Sequence, residues 1–154
     1  NDGFRIAIAE LAGGRIGIGS LALGVATAAM DIARQYASER EQFNSKISDF
    51  QGIQWSMADT YTELEAARLL LMNAAYLKET GQSFMKQAAM AKLYSTEAAN
   101  RACYNALQLM GGAGYTEEYP LERFARDVRV TTIYEGTSEI QRVIIGRELL
   151  REIA

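Results

Sequence analysis

The chain has 154 residues, 49% of them hydrophobic, which is enough for one domain with a real core; its formal net charge of −3 gives no basic excess that would point to nucleic acid or an anionic membrane surface. There is no histidine, which excludes Ser-His and Cys-His nucleophile systems and His-ligated metal sites within the chain and leaves base chemistry to carboxylate, lysine or tyrosine. One cysteine, Cys103, allows no intrachain disulfide and favours a reducing compartment.

The opening Asn1-Asp2-Gly3-Phe4 carries neither a methionine nor a signal-peptide pattern, and a segment cut from a longer polypeptide is expected. No apolar run approaching the roughly 20 residues of a membrane span is read. A single proline, Pro120, leaves long helices open almost everywhere. Five helices are predicted, over about 4–38, 48–79, 83–110, 121–128 and 139–153. They imply an all-α, up-and-down bundle of long antiparallel helices, with 1–154 as one unit and no linker.

The first helix carries Gly13, Gly14, Gly17, Gly19 and Gly24. Each interior glycine costs about 1 kcal/mol relative to alanine. The cluster therefore points to close approach by another helix or by a flat ligand. Its order, Gly14-x-x-Gly17-x-Gly19, reverses the dinucleotide fingerprint and follows no strand. On the second helix Phe50, Ile53, Met57, Tyr61, Leu64, Leu71 and Ala75 form an apolar stripe. Trp55 and the six methionines are assigned to the core. Gly81 is a helix stop and Ser83 the next start. Cys103, within Ala102-Cys103-Tyr104-Asn105-Ala106, reads as a small buried residue.

Two segments carry chemistry. Gln108-Leu109-Met110-Gly111-Gly112-Ala113-Gly114-Tyr115 ends a helix with more glycine than a cap needs. It is either a turn or a place where a phosphate or cofactor lies against bare backbone. Ile133-Tyr134-Glu135-Gly136-Thr137-Ser138-Glu139-Ile140-Gln141 holds one carboxylate, Glu135, preceded by apolar Val130, Ile133 and Tyr134. Ser138 with Gln141 reads as a capping box that starts a helix near Glu139. Glu135 is then a desolvated base on a short connector or a solvated loop glutamate.

Taken in order, Gly14 to Ile18, Arg40-Glu41-Gln42-Phe43 with Gln51, Gln108 to Tyr115 and Ile133 to Gln141 resemble the acyl-CoA dehydrogenase family, in its C-terminal helical domain. Tyr119-Pro120, Arg126-Asp127 and Gln141-Arg142 match as well, and the likeness is greatest to short-chain (butyryl-CoA) members. The resemblance implies FAD-dependent α,β-dehydrogenation of an acyl-CoA thioester to trans-2-enoyl-CoA. Glu135, the glutamate of Tyr-Glu-Gly-Thr, is the implied base for the α-proton; the β-hydrogen leaves as hydride to flavin N5, and electrons pass on to an electron-transferring flavoprotein. Long-chain-type members carry the base at the position of Gly14, which cannot serve. A hydrogen bond from the glutamate's own backbone amide to the thioester oxygen is implied too, an oxyanion-type stabilisation.

The same resemblance implies FAD contacts at Arg40, Gln42, Phe43, Gln51, Gln108, Gly111 and Gly112 toward a neighbouring subunit's cofactor, and at Thr137 and Glu139 toward the subunit's own. It implies substrate contacts at Arg15, Tyr134 and Gly136, and no metal. The alternative for Arg40 is a salt bridge with Glu39 or Glu41; for Arg15 it is a partner for a neighbouring helix's acid. Asn44 replaces the family's usual glycine, and Ala12 an aspartate facing the CoA moiety. Homo-oligomers, dimers of dimers, are implied, in the cytoplasm if bacterial or the mitochondrial matrix if eukaryotic. The family's N-terminal helical and middle β domains are absent from this stretch, so the isolated segment is expected to be inactive. Acyl-CoA oxidases share the fold, nitroalkane oxidases place aspartate at the base position, and a helical oligomerisation module without activity is the non-enzymatic alternative.

Overall fold

The structure is a computed structural model and describes residues 3–153; Asn1 and Asp2 of the opening lie outside the described residues. Helix α1 runs over Gly3–Glu39, α2 over Gln51–Glu79, α3 over Met85–Met110, α4 over Leu121–Arg129 and α5 over Ser138–Arg151. A two-residue hairpin, β1 (Glu41–Gln42) against β2 (Ser45–Lys46), separates α1 from α2 with Gln42 paired to Ser45. Short 3₁₀ turns cover Ile47–Asp49, Gly111–Tyr115 and Val130–Thr132.

Small residues bring the helices together. Ala22, Ala26, Ala29 and Ala33 recur at helical spacing on α1 and pack, fully buried, into one cluster with Ala99, Ala102, Cys103 and Ala106 of α3. At position 19 a Cβ would stand 2.6 Å from Leu71 Cδ2 and 2.7 Å from Ser95 Oγ, so any side chain there would have to displace these groups of α2 and α3. Polar pairs show the directions. Tyr61 donates to Asp31 at 2.7 Å, Arg101 Nε meets Glu63 at 3.1 Å, and Asn105 donates to Thr60 at 3.0 Å. Helix α2 therefore runs antiparallel to α1 and α3, which are parallel to each other. Leu121 and Val128 seat α4 on this core. The all-α bundle expected from the sequence is the observed fold.

Several expectations are corrected. The hairpin was not predicted: Phe43 (φ 54°) and Asn44 (φ 60°) both turn left-handed to form its two-residue loop. Helix α2 begins at Gln51 rather than near 48, and α3 begins at Met85 without a side-chain cap from Ser83. Gly81 does stop α2, at φ 69°. The buried stripe of α2 is Thr60, Leu64, Ala67, Leu71 and Ala74. Trp55 lies on the opposite side of that helix, 64% exposed, and Met72 is exposed beside the stripe, so neither belongs to the core. Phe50 and Ala75 also fall outside it. Cys103 is buried as expected, and burial pushes its thiol up to about 12.

By length and composition alone, Glu10–Glu39 of α1 is long and apolar enough to cross a membrane, contrary to the sequence reading. Its glycines and alanines had masked the stretch. The same alanines account for it as a core helix, because they are the α1 side of the central packing.

Candidate active site

The connector between the 3₁₀ turn at Val130–Thr132 and α5 bends sharply through positive φ. Glu135 (φ 54°) and Gly136 (φ 89°) are consecutive left-handed residues. For a non-glycine residue that conformation costs about 1–2 kcal/mol. Before it, the amides of Ile133 and Tyr134 both donate to the Val130 carbonyl, at 2.9 and 3.2 Å. After it, α5 starts at Ser138 with Thr137 as N-cap, whose side chain accepts from the Ile140 amide at 3.4 Å.

The predicted capping box is therefore displaced. Ser138 donates instead to Glu97 Oε1 at 2.7 Å. Gln141, fully buried, turns its Nε2 under the bend and donates to the carbonyls of Glu135 (3.2 Å) and Gly136 (2.9 Å). From α3 the fully buried Lys92 donates its Nζ to the same Gly136 carbonyl at 2.8 Å. A Cβ at position 136 would lie 2.8 Å from Gln141 Nε2, so packing and φ both demand glycine there.

The bend places the Glu135 carboxylate on α1 at Gly14. A Cβ at position 14 would stand 2.8 Å from Oε2 and 3.2 Å from Cδ, so the missing side chain is the carboxylate's seat. Oε2 is buried and has no hydrogen-bond partner among the described residues. Beside it Arg15 is 6% exposed, with Nε and Nη1 also buried and unpartnered. Burial lowers the Arg15 pKa, and the charge of Glu135 opposes that. Burial, then the Arg15 charge, lowers Lys92, against Glu97, Glu135 and Glu139. Around Glu135 thus gather Gly14, Arg15, Lys92 and Gln141. The apolar residues before it, expected to back it, face outward instead: Val130, Ile133 and Tyr134 are all exposed. A three-residue 3₁₀ turn and the bend after it are too short to carry the periodic pattern from which that could be read.

Thr137 and Glu139, implied contacts of the subunit's own FAD, line a cleft of about 320 Å³ with Asn100, Arg129 and Thr132. Some of the helix start's hydrogen-bonding capacity is already engaged. The Glu139 carboxylate is held low by its own backbone amide and the Thr137 hydroxyl.

The remaining implied cofactor residues gather at the opposite end of the bundle. Arg40 is 26 residues beyond Gly14 on α1 and Gly111 is 19 beyond Lys92 on α3, which are about 39 Å and 28 Å at 1.5 Å per residue. Gln42 and Phe43 are on the hairpin, Gln51 opens α2, and Gln108, Gly111 and Gly112 close α3. All are exposed, Phe43 at 88%. Among the described residues Arg40 makes no ion pair with Glu39 or Glu41; Gln35 donates to Glu39 instead. The three glycines of the turn divide by cause. Gly111 needs φ 57° to cap α3, and a Cβ on Gly114 would meet Leu107 O and Met110 Cβ at 3.0 Å. Gly112 faces open space and has no such reason.

Sequence reasoning did not name Lys92, nor Glu97, which holds Ser138, nor Asn100, Arg129 and Thr132 of the cleft. A signal was present: Lys92 sits on the face of α3 otherwise made of Ala88, Ala89, Ser95, Thr96 and Ala99, where a charge has no solvent to reach.

The profile of the acyl-CoA dehydrogenase C-terminal domain matches residues 1–150. The chain is 50% identical over 149 residues to the mitochondrial short-chain specific acyl-CoA dehydrogenase of Rattus norvegicus, covering 97% of this chain and 36% of that protein. It is 48% identical over 152 residues to the caffeyl-CoA reductase-Etf complex subunit CarC of Acetobacterium woodii, covering 99% and 40%. The solved butyryl-CoA dehydrogenase of Megasphaera elsdenii superposes with a TM-score of 0.95 at 44% identity, over 97% of this chain and 39% of that one. The chain thus spans under half the length of the relatives it matches. With profile, sequence and fold agreeing over nearly every residue, it belongs to the acyl-CoA dehydrogenase family, in the C-terminal domain of that family.

Proposed function

We propose that Glu135 is the catalytic base of an FAD-dependent acyl-CoA dehydrogenase of which 1–154 is the C-terminal helical domain. The observation that carries this reading is the carboxylate's seat: Oε2 rests at Gly14, buried and with no hydrogen-bond partner among the described residues. An oxygen so placed can take a proton without giving up a hydrogen bond to the described residues. The fixed φ of Glu135 aims the side chain and orients its backbone amide together, as removal of a proton α to a thioester and stabilisation of the thioester oxygen require. Arg15, Tyr134 and Gly136 surround the same bend and are assigned to acyl-CoA.

The residues present fit FAD in two places. The cleft beside Thr137 and Glu139 adjoins the base, where FAD supplies the acceptor for the β-hydride when bound. At the far end, Gly112 leaves bare backbone in the open, flanked in the sequence by Gly111 and within reach of the same bundle end as Arg40, Gln42, Phe43, Gln51 and Gln108. A set some 28–39 Å along the helices from the base serves no part of the same pocket, which supports its use on the cofactor of a second copy in a homo-oligomer. The relative named as part of an Etf complex supports an electron-transferring flavoprotein as redox partner. Its name as a reductase also favours the reverse reaction, reduction of an enoyl-CoA, as a second reading. Relatives in bacteria and in mitochondria support the cytoplasm or the matrix as location, according to source.

The chain carries the base and one wall of the site, so turnover is expected only with the domains that complete the longer relatives. Dehydrogenation of butyryl-CoA by residues 1–154 alone, with FAD and an acceptor added, would contradict this. The decisive test is Glu135→Gln in the complete enzyme, assayed with C4 to C8 acyl-CoAs. General-base catalysis contributes about 10²- to 10⁴-fold, and a loss of that size with FAD still bound is expected. Unchanged turnover would overturn the assignment.

A further inference from the structure

We infer that Lys92, acting with Gln141, is a positioning residue for the Glu135 base: its ammonium holds the Gly136 carbonyl and so keeps the left-handed step in place over Gly14. The inference rests on reading Glu135 as the base and adds to it the device that aims it.

A non-glycine residue in the left-handed region persists only where its surroundings over-determine it. Nothing local does so at Glu135. The hydrogen bonds before the bend end at Tyr134, and those after it begin at Thr137. Between them, among the described residues, the carbonyls of residues 135 and 136 receive donors only from side chains, Gln141 at 3.2 and 2.9 Å and Lys92 at 2.8 Å. Both side chains are fully buried, and Lys92 comes from 44 residues away. An ammonium in that place carries a desolvation penalty that a methionine of similar length would avoid. The methionine would leave the Gly136 carbonyl to Gln141 alone. The charge acts as well as the hydrogen bond. Lys92 faces Arg15 from α1, Glu97 on its own helix, Glu135 on the connector and Glu139 from α5. Glu135 in turn faces Arg15 and Lys92, with Lys78 of α2 nearby at Gly13.

The test compares Lys92→Met and Gln141→Met in the complete, FAD-loaded enzyme, reading kcat, KM and FAD content. A shift of the base by about 1 Å is worth about 10²-fold in rate. Lys92→Met is expected to lower kcat by about 10- to 100-fold with KM and FAD content retained. Gln141→Met removes the other donor, so kcat should fall there too. Introduced into Glu135→Gln, Lys92→Met should add no further loss, because the aimed group is already gone. A purely structural lysine would lower activity only in step with lost FAD or lost fold and add its loss to that of Glu135→Gln; that pattern overturns the inference, as does wild-type kcat. Should Lys92→Met fail to fold, Gln141→Met decides: lowered kcat at full FAD content supports the clamp, and wild-type kcat overturns it. Full activity of Glu135→Gln would sink the base assignment itself, whereas full activity of Lys92→Met sinks only the clamp.

Discussion

Among the described residues two bends put non-glycine residues at positive φ, and they are held in different ways. At the hairpin, Phe43 and Asn44 turn within four residues, and the β1–β2 pairing on either side fixes them. The whole bend is in solvent. At the connector, Glu135 turns without a flanking ladder and is held by Lys92 and Gln141, side chains from two helices. Strain that is local to a hairpin needs only its own sequence. Strain at a buried carboxylate needs the assembled bundle, so that site and fold fail together.

This contrast makes the two ends respond differently to substitution. The largest effect is expected at Gly14. A side chain there must displace Oε2, and Gly14→Val should reduce turnover of the complete enzyme by about 10²-fold with FAD retained. Near-wild-type kcat would show that the carboxylate does not need its seat. Next is Gly136→Ala, strained by φ 89° and by the 2.8 Å approach to Gln141 Nε2. A loss of about 1–3 kcal/mol in denaturant unfolding is expected. At the other bend Asn44→Gly relieves left-handed strain and should stabilise by a few tenths of a kcal/mol, about the difference between the two residues in that region. Equal responses at the two bends would erase the distinction drawn between them.

The core joining the two ends gives a pH test. Burial holds the Cys103 thiol protonated up to about 12 against an ordinary 9.0, so above pH 9 the unfolded chain loses a proton that the native state keeps. Stability should be fully present below 9 and fall as pH rises through 12. Tyr61, raised from 10.0 to about 12 by burial and by Asp31, adds to the fall above 10. In denaturation between pH 8 and 11, Cys103→Ala should flatten the dependence from its onset and Tyr61→Phe only the later part. The smallest change in stability is expected at Arg40→Ala, under about 0.5 kcal/mol because the side chain is exposed. Its measurable consequence is on FAD content of the assembled enzyme, and an unaltered FAD content would remove Arg40 from the cofactor set.

Helix number, order and approximate ends were legible because hydrophobic spacing, Gly81 and the lack of internal proline are local signals. Glu135 was legible as a carboxylate beside a helix start with no histidine to compete. What failed was whatever depended on which way a face turned. Trp55 and Met72 are apolar at helical spacing, yet off the stripe that α1 and α3 cover. Ser138 and Gln141 have capping-box spacing, but Glu97 and the bend's carbonyls compete for them and win.

The sequence by itself determined an all-α bundle, which follows from periodicity and composition, and a family, which its ordered motifs resemble; the base role proposed for Glu135 comes with that resemblance. Tertiary structure alone decided what surrounds that carboxylate. Gly14, Arg15, Lys92 and Gln141 come from three helices and are scattered over more than a hundred residues, and desolvation exists only once they have converged. A pattern along the chain records which residues are near in sequence, whereas burial depends on which are near in space.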